Sequence, residues 1–282
     1  MAKVDGTAIR CARKKRNMTQ EDLADGICKQ GTISNLEQKN ISNNIEILQA
    51  ICDRLDLKLE TVLVKTDKAQ LEAKLTEVEQ LCFVSKNKEA KQMLDAIDID
   101  SIKDLSLRTK AKYYYAMLEY LVKGKDGAPL FYFNEILNTT EPHDLYNILA
   151  NNGLGIVFEG KKDFSFAKKY YDQSLSASRE LSNIPLRLVK IFYNAARFYS
   201  TIEDYNKAID LCHEGISINK KYQSTFQLEY LLYEKAFNFY KANHSDYKTL
   251  YADAKKIAHF NHNEYVSKII DSDLEKLDLK IL

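Results

Sequence analysis

Gln30, Thr32, Ser34 and Asn35 are hydrogen-bonding side chains crowded into one short stretch of the chain. Their amides and hydroxyls carry the mixture of donors and acceptors that matches base edges in a DNA major groove. To reach those edges they must stand near the N-terminus of a helix that is docked at an angle on a preceding one. The surrounding sequence supplies both helices. Thr19 is placed to cap the first, and Asp22, three positions on, can return the bond as a capping-box variant. Leu23, Ala24 and Ile27 then share one face, and Gly26 and Cys28-Lys29 stand where the chain must turn. Gln30-Gly31-Thr32 opens the second helix, whose Ile33 and Leu36 point back to the first. Gln20, Gln30, Thr32, Ser34 and Asn35 are the expected contacts that position and read bases. Arg13 and Lys29 are the expected phosphate contacts, which add affinity for every sequence. A helical hairpin with a merely solvated polar face is the alternative.

The flanks agree with a base reader. Gly6 to Arg16 has helical spacing, with Ile9, Ala12 and Arg13 on a stripe, and carries Arg10, Arg13, Lys14, Lys15 and Arg16. Asn44 to Leu57 places Ile47, Leu48, Ile51, Cys52 and Leu55 at three-and-four spacing, and Leu59 to Val64 can close the bundle. Residues 1–66 are therefore expected to form a five-helix domain. The block MTQEDLADGICKQGTISNLEQ resembles the phage-repressor and Xre class of helix-turn-helix domains. Gln38-Lys39-Asn40 stands where that class often has a Gly just past the second helix. Asn tolerates the left-handed conformation needed there, so the departure is mild.

A second pattern fills residues 67–282. Leu154, Gly155 and Phe158 are followed by Asp163-Phe164, Ala167, Tyr171 and Leu175. An interval of 41 later come Ala195, Ala196 and Tyr199, then Asp204-Tyr205, Ala208, Cys212 and Ile216. Small residues that let two helices approach, alternating with aromatics that fill the gaps, match a tetratricopeptide-like hairpin. Weaker pairs are drawn over 71–83 with 88–97, 107–122 with 129–137, and 227–240 with 247–259, and a capping helix over 262–279. About five such hairpins predict an all-α chain ending in a right-handed superhelix with a concave wall. Such walls take extended peptides or partner helices. A purely architectural solenoid that only dimerises is the alternative.

A repressor-type reader fused to these repeats resembles the peptide-pheromone regulators of Gram-positive bacteria, the group containing PlcR, PrgX and the Rgg proteins. LADGICKQGTISNLE and the segments NNGLGIVFEGKKDF and YNAARFYSTIEDY carry the resemblance, and look closest to PlcR. It covers essentially the whole chain. In that family an asparagine on the inner helix of successive repeats holds the backbone of an extended signalling peptide, and Asn152 and Asn194 occupy those places. A side-chain amide can bond to both N–H and C=O of a strand without choosing its sequence. Counting from the small residue of each repeat puts Asn152, Tyr193, Asn194 and Arg197 toward the groove, joined by Tyr230, Tyr233 and Glu234 of the next. Arg197 is the candidate for a peptide carboxylate, and Lys86, with Lys88, stands at a turn that could reach the groove mouth. Buried amides bonding between helices, tyrosines packing within hairpins and a solvated turn are the competing readings.

The net charge is +1, but Lys and Arg outnumber Asp and Glu by eight to five over residues 1–44. A chain basic at one end is expected to bind double-stranded DNA with that end alone. Few phosphate contacts per subunit then call for a homodimer on two half-sites, about 34 Å or a multiple apart. The polar start MAKVDGTAIR gives no sign of a secretory signal, and no apolar run is long enough to span a bilayer. A cytoplasmic protein without membrane contact is expected. The five cysteines form no CxxC pair and read as reduced core residues. His259 and His262 could share a helical face, but no further ligand stands at metal-site spacing, and no nucleotide-loop or hydrolase motif is present. The expectation is a regulator that is not an enzyme and holds no cofactor or metal. The other reading is a regulator or scaffold whose repeats bind a protein partner.

Overall fold

The computed structural model describes residues 2–64 and 66–276; Met1, Lys65 and residues 277–282, which the two expected domains include, lie outside the described residues. The chain divides into two compact units, the first running to Glu77 and the second beginning at Val78.

The first unit holds α1 (Gly6–Lys15), α2 (Gln20–Ala24), α3 (Gln30–Lys39), α4 (Ile45–Arg54) and α5 (Leu59–Val62). Side-chain caps start three of the first four, α1, α2 and α4, whereas α3 begins at Lys29 without one. Asp5 accepts from Ala8 N–H, Thr19 and Asp22 close a full capping box, and Asn44 accepts from Glu46 and Ile47 N–H. Asn40 ends α3 at φ 56°, ψ 35°, the left-handed conformation expected of it. Ile9, Leu23, Ile33, Leu36, Leu48, Ile51 and Leu55 are fully buried and pack as one core. Gly6 is required by a close approach: a Cβ there would stand 2.2 Å from the Leu36 carbonyl oxygen. Periodicity did not foresee a two-residue ribbon, β1 (Ala2–Lys3) antiparallel to β2 (Ile41–Ser42). It forms because the Asn40 turn leaves the next residues extended beside the chain start, where Val4 N–H bonds the Asn40 carbonyl at 2.9 Å.

The second unit is a stack of helical hairpins. The division falls inside α6 (Asp67–Phe83), a helix without Pro or Gly, eleven residues past the boundary expected at 66. Then come α7 (Asn87–Asp95), α8 (Leu105–Lys123), α9 (Gly127–Thr139), α10 (Leu145–Gly160), α11 (Phe164–Arg179), α12 (Val189–Thr201), α13 (Tyr205–Lys221), α14 (Leu228–Lys241), α15 (Tyr247–Phe260) and α16 (Glu264–Lys276). The 41-residue repeat has a direct physical basis. Lys162 and Glu203 turn the chain at φ 61° and 64°, and Asp163 and Asp204 then cap α11 and α13. Gly155 admits the Tyr171 ring, which a Cβ would meet at 2.8 Å. Within this unit α8, α10, α12, α14 and α16 each touch the next, making one layer, and α9, α11, α13 and α15 back them. The first expected hairpin differs: α7 packs along α8, whereas α6 does not pack lengthwise along α7. The side chains at the end of α6 reach further, with Glu79 bonded to Lys110 of α8 and Phe83 against Phe226, just before α14. Among the described residues no helix is long and apolar enough to cross a membrane.

Candidate functional site

In the first unit α2, the turn at Gly26 (φ 69°) and α3 form the expected helix-turn-helix. Lys29, Gln30 and Asn35 are exposed, and Gln20, Thr32 and Ser34 are half-buried. The glutamines belong to a chain of bonds. Gln30 Nε2 donates to Gln20 Oε1 at 2.7 Å, and Gln20 Nε2 donates to Glu37 Oε2 at 2.9 Å. Gln30 thus has its carbonyl oxygen and a second N–H in hand, the donor and acceptor pair that an adenine edge accepts. Arg54, which pattern reading passed over, donates to the carbonyls of Leu23 at 3.2 Å and Asp25 at 2.5 Å, tying the end of α2 to α4. Its signal was faint: a basic residue in the last turn of α4.

Arg13, the expected phosphate contact, is committed to an internal pair. It is 8% exposed, with Nε at 2.6 Å and Nη2 at 2.9 Å from the two Glu37 oxygens and Nη1 donating to the Met18 carbonyl. The reason is its place one turn from Ile9, on the inward stripe of α1. Burial would raise the Glu37 carboxyl, but the bonds from Arg13 and Gln20 hold it below the ordinary value. Arg10, Lys14 and Lys15 are the exposed cations that remain on α1.

In the second unit the structure brings Asn152 of α10 and Asn194 of α12 together. Asn194 Nδ2 donates to Asn152 Oδ1 at 2.8 Å. Asn152 is 2% exposed and its Nδ2 is buried without a hydrogen-bond partner, whereas Asn194 is half-buried. Tyr193 and Tyr230 pack ring to ring at 5.2 Å across α12 and α14. Arg197 is exposed, but its guanidinium already has a carboxylate: Nη2 lies 3.1 Å from Glu159 Oε2, to which Tyr171 also donates at 2.6 Å. Burial would lower the Arg197 pKa, and Glu159, with Tyr171, Tyr193 and Glu234 beyond it, raises it instead.

Three other expected groove residues have partners within the unit. Glu234 is 4% exposed, takes a bond from Asn238 Nδ2 at 2.9 Å, and is pushed by burial up to about 7. It is an internal carboxyl, because its helical position faces the packed interior of α14. Tyr233 donates to Asp273 of α16 at 2.5 Å. Lys86 is exposed and pairs within its own turn, 3.6 Å from Glu89. Glu159 and Asp273 were missed because nothing in the repeat pattern marks the acidic partner of a long-range pair.

Residues 9–62 match the helix-turn-helix family HTH_3. No curated protein matches the chain by sequence. Among solved structures, Bacillus thuringiensis PlcR in complex with the peptide PapR7 and DNA superposes at a TM-score of 0.65, with 20% identity over 95% of this chain and 99% of that one. PlcR in its apo form gives 0.64 at 16% identity, over 94% and 98%. The competence regulator ComR from Streptococcus vestibularis, in complex with its cognate signaling peptide XIP, gives 0.52 at 13%, over 98% of both chains. The likeness at these identities is one of fold: an all-α chain with a helix-turn-helix unit and a helical-repeat superhelix.

Proposed function

From a helix-turn-helix reader at residues 9–62 and a fold shared end to end with PlcR, we propose that the chain is a DNA-binding transcription regulator controlled by a short signalling peptide. Gln30, Asn35, Thr32 and Ser34, oriented in part by Gln20, read bases, while Lys29 and the exposed cations of α1 hold phosphates. The repeat unit takes the peptide on the layer made by α8 to α16. The Asn152–Asn194 pair carries this reading. Two amides on consecutive inner helices, one with a donor left unpaired, can bond the backbone of an extended strand whatever its side chains.

Control needs only that the peptide bind two forms of the repeat unit unequally, and the shift cannot exceed that difference in affinity. The segment between the two expected domains lies in α6, which contains no Pro or Gly. A homodimer on two half-sites would combine two modest affinities. The test is the affinity of the full chain for duplex DNA from upstream of its own coding region, at fixed salt, with and without the peptide fraction of spent culture medium. A shift that Asn194→Ala removes supports the reading; binding indifferent to the fraction overturns the peptide half of it.

A further inference from the structure

α2 is five residues long, Gln20–Ala24, too short to hold its own geometry in water. Its front is fixed by the Thr19–Asp22 capping box, but its last turn carries no basic residue to meet the carbonyls that a helix end leaves without partners. Arg54, in the last turn of α4, supplies one. Its Nη1 lies 2.5 Å from the Asp25 carbonyl oxygen, 3.2 Å from that of Leu23 and 3.3 Å from that of Asp22. A cation at this place also opposes the negative end of the helix dipole.

The chain passes straight from this clamp into the reading helix. Asp25 leaves α2 at φ −55°, ψ 126°, Gly26 turns the chain at φ 69°, and the N–H groups of Ile27 and Cys28 return to the Ala24 carbonyl at 2.9 Å each. The guanidinium lies against the turn itself, with Nη2 4.0 Å from the place a Gly26 Cβ would take. Cys28, within the turn, meets the Thr32 hydroxyl of α3. α3 begins at Lys29 without a side-chain cap, so the turn before it, and not a cap of its own, places its first residues.

We propose that Arg54 is a positioning residue for base reading: it fixes the end of α2 and the Gly26 turn, and through them the first turn of α3 with Gln30 and Thr32. This rests on the DNA half of the function proposed above and adds to it a residue that acts only through others. Arg54 is exposed, and two of its three bonds are at the surface, so water can replace the guanidinium at little cost to folding. What the bonds secure is geometry, and paired hydrogen bonds to a base edge tolerate a displacement of only about 0.5 Å.

The experiment uses the full chain to select duplexes from a randomised DNA library, then measures the affinity of each variant for the selected duplex and for the unselected library across a salt series. Arg54→Met is expected to lower the ratio of the two affinities about tenfold, the loss of one base contact. Its affinity for the library, its slope of log affinity against log salt and its thermal midpoint should stay those of the parent chain. Arg54→Lys, whose ammonium can still donate to the same carbonyls, should keep most of the ratio. An unchanged ratio in Arg54→Met would overturn the proposal. A slope shallower by about one, with both affinities lowered together, would overturn it in favour of a phosphate contact. An Arg54→Met chain that no longer folds would overturn it in favour of a strut of the fold. A parent chain that selects no duplex would overturn the DNA reading itself.

Discussion

Arg13 of α1 and Glu37 of α3 form a two-pronged ion pair inside the reader, Nε to Oε1 at 2.6 Å and Nη2 to Oε2 at 2.9 Å. The same carboxylate takes the Gln20 amide, which in turn receives Gln30. The pair therefore braces α3 from behind and is given no part in holding phosphates. Removing one partner leaves a buried charge unpaired, a loss of about 3 kcal/mol. Arg13→Met is expected to lower the unfolding free energy, extrapolated from urea titration, by that amount. In the folded fraction the slope of log affinity against log salt should stay unchanged; a slope shallower by about one would restore Arg13 as a phosphate contact.

Base reading and phosphate binding should separate by residue. Gln30→Ala and Asn35→Ala are expected to cost about 1–3 kcal/mol on the preferred operator and little on other duplexes. Lys29→Ala should weaken all duplexes alike. Competition between operator and random DNA measures both, and an Asn35 variant with unchanged preference would move the reading face elsewhere on α3.

Asn194→Ala takes the donor from Asn152 Oδ1, beside an Asn152 Nδ2 that already lacks a partner. An unsatisfied buried amide costs about 1–3 kcal/mol, so the thermal midpoint should fall. The double change Asn152→Leu with Asn194→Ala removes the orphaned polar group and should recover part of the loss without recovering any peptide response. A double variant that responds to peptide would contradict the role given to the pair.

Glu234 makes the repeat unit sensitive to pH. Burial lifts its carboxyl from 4.5 to about 7, against Asn238 and Ser200, which bond to it, and Arg197, which faces it from α12; Glu159 of α10 adds to the rise. The folded chain thus binds a proton that the unfolded chain releases. The stabilisation is full below 4.5 and is lost as pH rises through about 7. At about 1.4 kcal/mol per unit, it amounts to a few kcal/mol. Thermal melts across that window should show the midpoint falling with pH, and Glu234→Gln should flatten the curve; a midpoint rising with pH would contradict it.

The parts of this fold that are written locally were legible. Thr19 with Asp22 and Asn40 marked helix ends because a cap needs only residues within a turn, and the 41-residue echo of Asp163 at Asp204 marked the hairpins. The reach of α6 to Lys110 and Phe226 had no such signal, since it depends on how the whole stack curves. The charged pairs were the least legible. Arg13 lay visibly on the inward stripe with Ile9, yet its partner is 24 positions away; Arg197 was seen as free because Glu159, 38 positions back, carries no pattern of its own. Glu234 was read as a groove contact because counting from repeats fixes a helix face only to within a residue, and one residue separates wall from interior.

The most direct test of the account joins both units in one measurement: equilibrium binding of the full chain to upstream duplex DNA at fixed salt, titrated with the peptide fraction of spent medium. The account expects DNA affinity to shift with the fraction in the parent chain and to stay constant in Asn194→Ala. DNA binding that ignores the fraction in both chains would contradict peptide control and leave a regulator whose repeats serve a protein partner.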